Sequence, residues 1–258
     1  MKEKAKLRWP SDPNCPPENE GQSKKWFKRL TSDTEKQLLA YLKEPANGQV
    51  ANKVAETIQG RSEEIKSSTF RKLTELRQHG SNIPEVACKM GCNYCCHLQV
   101  SCAAPETIRV ADHLRKTRTP KQLSALIAKM KRHQEIRAGL TKKQRSSGNV
   151  APCPFLGTKG ECTIYEVRPL VCRTYHTFNV NECERVFSNP ERTLRVTMVW
   201  EPCETRDALA EALDDACKQM HLPTKDVELV GGVLISLKNP EAETMWRQGK
   251  RVFADVEV

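Results

Sequence analysis

The stretch of the sequence with the clearest chemical potential is CKMGCNYCCH, residues 88–97. It contains four thiols, Cys88, Cys92, Cys95 and Cys96, and ends on His97. On a helix these thiols would share one broad face, because residues three and four apart are neighbours. A disulfide between the adjacent Cys95 and Cys96 would be strained, since disulfides need a particular backbone geometry. A metal, a redox reaction or a set of buried thiols therefore remains as the explanation.

A second group of cysteines follows in a segment rich in Pro and Gly, and it supplies Cys153, Cys162, Cys172 and Cys183. Four thiolates from one helix cannot surround a single ion tetrahedrally, so the first group needs ligands from elsewhere, which the second group can supply. Eight thiols suit two four-thiolate sites or one larger cluster with extra ligands. Because thiols stay reduced in the cytoplasm, such clustering favours metal binding over disulfide bonding.

The sequence gives weaker evidence of metal binding for the remaining cysteines. Cys102, six residues beyond the first group, is the best candidate for an additional ligand. Cys15 and Cys203 have no clear assignment. Cys217 lies among apolar residues at helical spacing and is predicted to be a core residue, since a free thiol packs as a small hydrophobic group.

Histidines and arginines lie beside both groups of cysteines. His97 and His176 could each coordinate a metal or donate a hydrogen bond to one of its ligands. Arg168 and Arg173 flank Cys172, and a guanidinium could offset the negative charge of a thiolate-bound metal with directed N–H donors. The simpler alternative for both arginines is an exposed surface position.

The combination of CKMGCNYCC with CPFL and GECTIYEVRPLVCRTY resembles the YkgJ-like cysteine-cluster family, described as zinc- or iron-chelating. The resemblance covers about 96 residues, Cys88 to Cys183. It implies metal binding by Cys88, Cys92, Cys95, Cys96, Cys153, Cys162 and Cys172. One branch of the family is associated with lysine methylation of flagellin, and the implied cofactor is an iron–sulfur cluster, expected to be 4Fe–4S, with zinc as the alternative. His176 stands where the family often has proline, which leaves the number of ligands open.

Positive charge is concentrated in one segment. The chain carries a net charge of +10, and residues 115–145 contain eleven Lys or Arg against the single acidic Glu135, which accounts for the whole excess. This basic segment contains no Phe, Tyr or Trp, which disfavours binding of single-stranded nucleic acid by base stacking. A solvated helix face is the simpler interpretation, and a surface for an acidic partner or a nucleic acid is the alternative.

The elements that must position these motifs are mostly helical. The capping box SDTE predicts a helix that begins at Ser32, and apolar spacing from Val50 to Ile58 and beyond predicts another that reaches Gly80. The segment 153–183 is predicted to be irregular. The other predicted elements are helices at APETIRVADHLRK, TPKQLSALIAKMKRHQEI and RDALAEALDDACKQM, a strand at TLRVTMVW, and a strand or buried segment at VELVGGVLISL.

These elements predict a mainly helical α+β protein with a small irregular metal domain flanked by helices. The predicted regions are a flexible lead at 1–30, a helical arm at 31–84, a cysteine-cluster domain at 85–185 and a strand-helix extension at 186–258. Only 38% of the residues are hydrophobic and 5% aromatic, so metal crosslinks would support a thin core. No signal-peptide or membrane-spanning segment is apparent, so we expect a soluble cytoplasmic protein.

Two functions remain open from the sequence. The first is an iron–sulfur protein, either a redox carrier or an enzyme of oxidoreductase or methyl-transfer type with an unknown protein or small-molecule substrate. The second is a zinc-stapled binding module that engages an acidic partner or nucleic acid through residues 115–145. Thiolate ligands suit both metals. The sequence contains no Gly-rich nucleotide loop, Walker motif or Ser-His-Asp pattern that would indicate nucleotide or hydrolytic chemistry.

Overall fold

The computed structural model describes residues 20–45, 49–141, 144, 151–188 and 196–258, and within them the protein is the predicted mainly helical α+β fold. Two short strands, β1 (Ser101–Cys102) and β2 (Val227–Glu228), pair antiparallel with Cys102 opposite Val227. None of the helices in these ranges combines the length and hydropathy of a membrane span. The helices are α1 (Glu20–Leu42), α2 (Val50–Gln78), α3 (Ala104–Thr117), α4 (Pro120–Ala138), α5 (Leu170–Thr174), α6 (Val180–Ser188), α7 (Trp200–Gln219), α8 (Leu229–Lys238) and α9 (Ala242–Arg247).

One apolar core joins helices from both ends of the chain. Helix α1 packs along α7, and α2 packs against α1, α3 and α7. Burying one large aliphatic or aromatic side chain contributes about 1.5–3 kcal/mol, so this core is a major source of stability. Its central side chains are at most 1% exposed and include Leu38, Val54, Ile58, Leu209 and Trp246.

A second apolar core lies between α3, α4 and α8 and extends into the second cysteine segment. Phe155 and Ile164, which flank Cys162 on either side, are 1% and 2% exposed and pack there beside the fully buried Met130. Cys153 and Cys162 pack against the same core. The segment that carries these cysteines is therefore attached to the helices by its apolar side chains.

The predicted start of the first helix was wrong. Helix α1 begins at Glu20 and continues through Ser32, so part of the predicted flexible lead is helical, while residues 1–19 lie outside the described ranges. The hydroxyl of Thr31 donates to the carbonyl of Phe27 at 2.9 Å, four residues earlier, as in a helix interior. A capping-box pattern can occur within a helix when its apolar face continues, as Leu30 does toward Leu38.

Helices α2, α3, α4 and α7 confirm their predictions, whereas two other assignments need correction. The segment 153–183, predicted to be irregular, contains α5 and the first residues of α6. Of the predicted strand at 193–200, residues 193–195 lie outside the described ranges, and the rest forms only an isolated bridge from Met198 to Thr177 before α7 begins. The segment 227–237, predicted as a strand or a buried segment, contains β2 and most of the buried helix α8. An apolar run by itself does not distinguish a helix from a strand.

Candidate metal centre

The first cysteine motif is a turn followed by a 3₁₀ helix, rather than one α-helix. Gly91 has a φ of +90°, a left-handed conformation that interrupts a right-handed helix. The Cys92 N–H donates to the Lys89 carbonyl at 3.0 Å across this turn, and the 3₁₀ helix covers Tyr94–His97. The thiols of the motif are consequently spread over two elements instead of one helix face.

The second motif begins with a tight hairpin that contacts the first motif. The N–H of Thr163 donates to the Phe155 carbonyl at 2.8 Å, and the hairpin turns at Gly160 with a φ of +78°. A Cβ at Gly160 would lie 3.1 Å from the carbonyl oxygen of Gly91, so the two glycine turns pack closely. The Cys153 N–H also donates to the Cys96 carbonyl at 2.7 Å, which joins the two motifs directly.

The buried carboxylate of Glu106 positions the helix that carries Cys172. Its Oε1 accepts the N–H of Leu170, the first residue of α5, at 2.7 Å, and its Oε2 accepts the N–H of Ala103 at 3.1 Å. Burial raises the pKa of Glu106, and these two N–H groups act in the opposite direction. One side chain therefore satisfies orphan donors at the start of both α3 and α5.

Arg137 in α4 links the two cysteine motifs from the other side. It is 4% exposed, and its Nη2 donates to the carbonyls of His97 at 2.9 Å and Ala151 at 3.2 Å. Its Nε donates to Nε2 of His133 at 3.0 Å. Burial lowers the pKa of His133 to about 4, and the charge of Arg137 adds to that shift. The neutral imidazole therefore serves as an acceptor within a buried clamp.

Further cations of the basic segment also donate to backbone carbonyls. Arg118 donates to the carbonyl of Thr163 at 3.0 Å, and Lys129 donates to that of Leu156 at 3.2 Å, on either side of the hairpin. Arg115 donates to the carbonyl of Ser236. A substantial part of the positive charge in the basic segment therefore acts within the molecule, whereas Lys131 and Arg132 are exposed.

Seven of the eight predicted cysteine ligands line one cleft with a volume of about 2500 Å³. The wall of the cleft also includes Cys217, which belongs to the apolar core of α1, α2 and α7. Cys183 faces a smaller cavity that it shares with Cys95. The other cysteines that line the cleft are Cys88, Cys92, Cys95, Cys96, Cys102, Cys153, Cys162 and Cys172.

Within the described ranges, no three Cys, His, Asp or Glu side chains converge at the spacing of a single-ion site. The thiols instead surround the cleft, and backbone donors point at several of them. The backbone N–H groups of Tyr94, Phe155 and Ile164 act to lower the pKa of the thiol two residues earlier, on Cys92, Cys153 and Cys162. Such donors favour the thiolate that a metal requires, so the donor set fits a thiophilic metal.

Burial acts in the opposite direction on the same thiols, because it favours the neutral thiol over the thiolate. It raises the pKa of Cys153 to about 12 and that of Cys172 well above its ordinary value. The hydrogen bond to Cys96 has the same effect on the pKa of Cys95, with burial adding to it. Since a metal ligand must be a thiolate, a bound cation would supply the charge that stabilises the deprotonated forms.

The two candidate arginines have different surroundings. Arg168 lines the cleft and stacks on the Tyr165 ring at 4.2 Å, and its charge acts against burial to lower the pKa of Cys88, Cys162 and Cys172. Its buried Nε has no hydrogen-bond partner. Arg173, in contrast, donates its Nε to the Arg168 carbonyl at 2.9 Å and pairs with Glu63 at 3.5 Å. Arg168 is therefore the better placed of the two to offset thiolate charge.

The two candidate histidines are held by packing. The His97 ring lies 4.8 Å from the ring of Phe187, edge to face, and burial lowers its pKa. His176 is 7% exposed, packs edge to face on Phe70 at 5.0 Å, and shares a 2.8 Å hydrogen bond between Nε2 and the Arg173 carbonyl. Burial lowers the pKa of His176 to about 4, and its Nδ1 has no partner.

The cysteines outside the two predicted groups have different surroundings. Cys102 is 4% exposed and lies close enough to Cys172 for the two thiols to interact electrostatically. Cys203 lies 4.0 Å from the Thr174 carbonyl. Cys217 is a core residue at 3% exposure, as predicted, and burial raises its pKa to about 12. Cys15 lies outside the described residues.

Sequence reasoning missed Glu106 and Arg137. A signal for Arg137 was available, because it follows Met130 by seven residues and therefore falls on the buried face of α4. Glu106 accepts the N–H of the N-cap residue Ala103 at the start of α3, but its second role depends on Leu170, 64 residues away. No local pattern reveals that pairing.

The fold and the thiols around its cleft define a helical protein built to chelate a thiophilic metal. The family model "CxxCxxCC: Putative zinc- or iron-chelating domain" matches residues 87–218, just over half of the chain, and the chain belongs to this family. The match includes both cysteine motifs and most of α7. Searches of curated proteins and of solved structures found no match.

Proposed function

We propose that the chain holds an iron–sulfur cluster of the 4Fe–4S type in the cleft and acts as a redox protein or in cluster-assisted modification. The observation that carries the proposal is that four of the predicted ligands, Cys95, Cys153, Cys162 and Cys172, line the cleft together. After burial, the largest effects on the pKa of Cys172 come from Cys95, Cys153 and Cys162. A four-thiolate set is what such a cluster requires.

The spacing of these thiols also supports a cluster. A single zinc ion needs four sulfurs at about 2.3 Å from one point, whereas the thiolates of a cluster bind to separate irons and stand farther apart. Thiols distributed around a cleft suit the second arrangement. Arg168 adds a fixed positive charge beside a centre whose thiolates and sulfides are negative.

The cleft offers a way for a substrate or redox partner to approach. Tyr165 and Met90 at its rim are 54% and 91% exposed. Such a cluster, when bound, supplies electron transfer or activation of a small molecule, while the chain supplies the thiols, the charge of Arg168 and the open cleft. An unknown protein or small molecule is the proposed substrate.

A zinc-stapled binding module is the second candidate. Its support is that the cysteines come from a turn, a 3₁₀ helix, a hairpin and α5, which a metal would tie together as a purely structural crosslink. The proposed binding surface is then the exposed part of the basic segment, including Lys131 and Arg132. The internal hydrogen bonds of Arg118, Lys129 and Arg137 reduce the charge available to a partner.

Anaerobic purification followed by metal analysis separates these functions. We expect a brown protein that contains iron and acid-labile sulfide and that loses both in Cys172→Ser. Cys217→Ala is the matched control, because it removes a buried cysteine of the helical core, and it should retain the metal. A colourless protein with stoichiometric zinc would reject the iron–sulfur proposal and support the zinc-stapled module.

A further inference from the structure

Arg173 is a buried arginine one residue after Cys172. It is 7% exposed, whereas arginine is mostly an exposed residue. Its donors point back at the chain segment that precedes α5. Nε donates to the Arg168 carbonyl at 2.9 Å, and Nη2 donates to the carbonyls of Glu166 and, at 3.4 Å, Tyr165. The helix that carries Cys172 is therefore bonded to the turn before it through this one side chain.

The carbonyls that Arg173 contacts lie at the end of a second 3₁₀ helix. This helix covers Tyr165–Val167, and Arg168 is its C-cap. The last carbonyls of a helix lack partners within it, and the five N–H donors of a guanidinium can satisfy several of them at once. Pro169 also restricts the backbone of Arg168, which has a φ of −59° and a ψ of 141°. The backbone of Arg168 is thus fixed by the ring of Pro169 and by the donors of Arg173.

The side chain of Arg168 depends on this turn for its orientation. Its guanidinium lies 4.2 Å from the centre of the Tyr165 ring, and its Nη2 donates to the Tyr165 hydroxyl at 3.4 Å. Within the described part of the chain, no other hydrogen bond or ion pair holds this guanidinium, and its Nε has no partner. A shift of the turn would therefore move the charge of Arg168 relative to the thiols of the cleft.

Glu63 of α2 connects Arg173 to the helical frame. Its Oε2 lies 3.5 Å from Nη1 of Arg173, and its Oε1 pairs with Nζ of Lys66. The Glu63 side chain is 42% exposed, so solvent weakens this ion pair. The bonds from Arg173 to the backbone carbonyls are therefore expected to contribute more to the position of the turn than the pair with Glu63 does.

We infer that Arg173 is a positioning residue, which holds residues 165–168 so that the guanidinium of Arg168 stays beside the thiols and offsets the charge of a thiolate-bound centre. The inference rests on the proposed function only in placing such a centre in the cleft, and it applies to iron and to zinc. The charge of Arg173 itself is already engaged by Glu63 and by the carbonyls. A lysine at this position would keep the charge but would lack the planar fork of donors that reaches several carbonyls.

A double-mutant cycle on the full chain, purified without oxygen, tests this role. The metal of each protein is counted, and its rate of release to a chelator is measured for wild type, Arg168→Met, Arg173→Met and the double variant. We expect each single variant to release metal roughly 10-fold faster, since loss of a partner outside the ligand set typically costs 10- to 100-fold in metal affinity. In the Arg168→Met background, Arg173→Met should change the rate by less than about twofold, because the charge that Arg173 positions is already absent.

Further variants separate positioning from charge. Arg173→Lys should release metal as fast as Arg173→Met, and it replaces Arg173→Met in the cycle if that variant does not fold. Arg109→Met is the matched control, because Arg109 also pairs with a glutamate of α2, Glu56, at 3.6 Å, and it should release metal at the wild-type rate. Where the centre is an iron–sulfur cluster, Arg168→Met and Arg173→Met should lower its reduction potential equally, since loss of a nearby positive charge disfavours the added electron.

The outcomes distinguish this inference from the proposed function. The inference is overturned, whichever metal is bound, if Arg168→Met releases metal at the wild-type rate, if the effects of the two substitutions add, or if Arg173→Lys behaves as wild type. If the effects do not add but the metal is zinc without sulfide, the inference stands and the iron–sulfur proposal is overturned. A wild type without bound metal would overturn both.

Discussion

The helical frame, formed by α1, α2, α7 and α9, and the cysteine region, formed by residues 85–97 and 151–177, differ in what holds them together. The frame is joined by apolar side chains such as Leu38, Ile58 and Trp246, which are at most 1% exposed. The two motifs of the cysteine region are joined to each other mainly by directed hydrogen bonds, from Arg137 and between Cys153 and Cys96.

The apolar frame therefore provides stability, whereas the hydrogen bonds of the cysteine region position the site. Apolar burial is non-directional and stabilises the frame without any ligand. Hydrogen bonds from Glu106 and Arg137 fix the positions of backbone segments, but they leave the thiols partly exposed around a cleft. Metal binding is therefore expected to complete the cysteine region, and the frame is expected to be independent of it.

Removal of the metal should destabilise the cysteine region much more than the helical frame, and we expect this effect to be the largest. Binding of a structural zinc ion supplies about 10–16 kcal/mol in zinc-finger peptides, and that free energy becomes folding free energy. After anaerobic chelation, hydrogen exchange measured by mass spectrometry should accelerate in residues 88–97 and 153–174. Helices α2 and α7 should retain their protection. Equal acceleration in both regions, or none in the cysteine region, would contradict the comparison.

Replacement of Arg137 by methionine should weaken the cysteine region through its protein contacts. The change leaves the carbonyls of His97 and Ala151 without this donor, and an unsatisfied buried polar group costs about 1–3 kcal/mol. We expect a loss of about 2–5 kcal/mol in the free energy of unfolding, measured by urea denaturation of the loaded protein, together with reduced metal retention.

Arg132→Met is the matched control for this prediction, because Arg132 is exposed on the same helix. A surface substitution usually changes stability by no more than about 0.5 kcal/mol. If the two variants lose equal stability and equal metal, Arg137 has no special role in joining the motifs.

Acid should weaken the same clamp by a smaller amount. His133 titrates near 6.5 when unfolded, and burial lowers its pKa to about 4 in the folded protein. Its contribution to stability is therefore present above pH 6.5 and is lost as the pH falls toward 4. The variant His133→Gln keeps an acceptor for Arg137 but does not titrate. As the pH falls from 6.5 to about 4, it should therefore lose roughly 1–3 kcal/mol less free energy of unfolding than wild type. Identical pH profiles of unfolding for the two proteins would contradict this.

Local sequence patterns predicted much of the helical frame correctly, but they failed where tertiary contacts determine the secondary structure. Helices α2, α3, α4 and α7 follow from apolar residues at helical spacing, which is a property of neighbouring residues. The start of α1 was misplaced because SDTE forms a cap only if the helix does not continue, and Leu30 continues it. In its described part, residues 196–200, the strand predicted before α7 has no pairing partner beyond the bridge of Met198 with Thr177.

In the candidate site, too, some features were predicted from the sequence and others depend on tertiary contacts. The types and spacing of the cysteines predicted a site for a thiophilic metal, because the affinity of a thiolate for such a metal is a property of the residue itself. The basic segment was interpreted as a surface, yet Arg137 is 4% exposed within it. Its partners, the carbonyls of His97 and Ala151, flank the two cysteine motifs, and nothing in the basic segment itself indicates them.

The sequence by itself determined the presence of a cysteine-based metal site and a helical setting for it, since both follow from residue type and local spacing. Only the tertiary structure decided which thiols face one cleft, that Cys183 faces a smaller cavity, and that Glu106 holds the helix of Cys172. These are contacts between residues far apart in the chain, such as the 64 residues that separate Glu106 from Leu170. Such contacts depend on how the helices pack, and packing is a property of the whole chain.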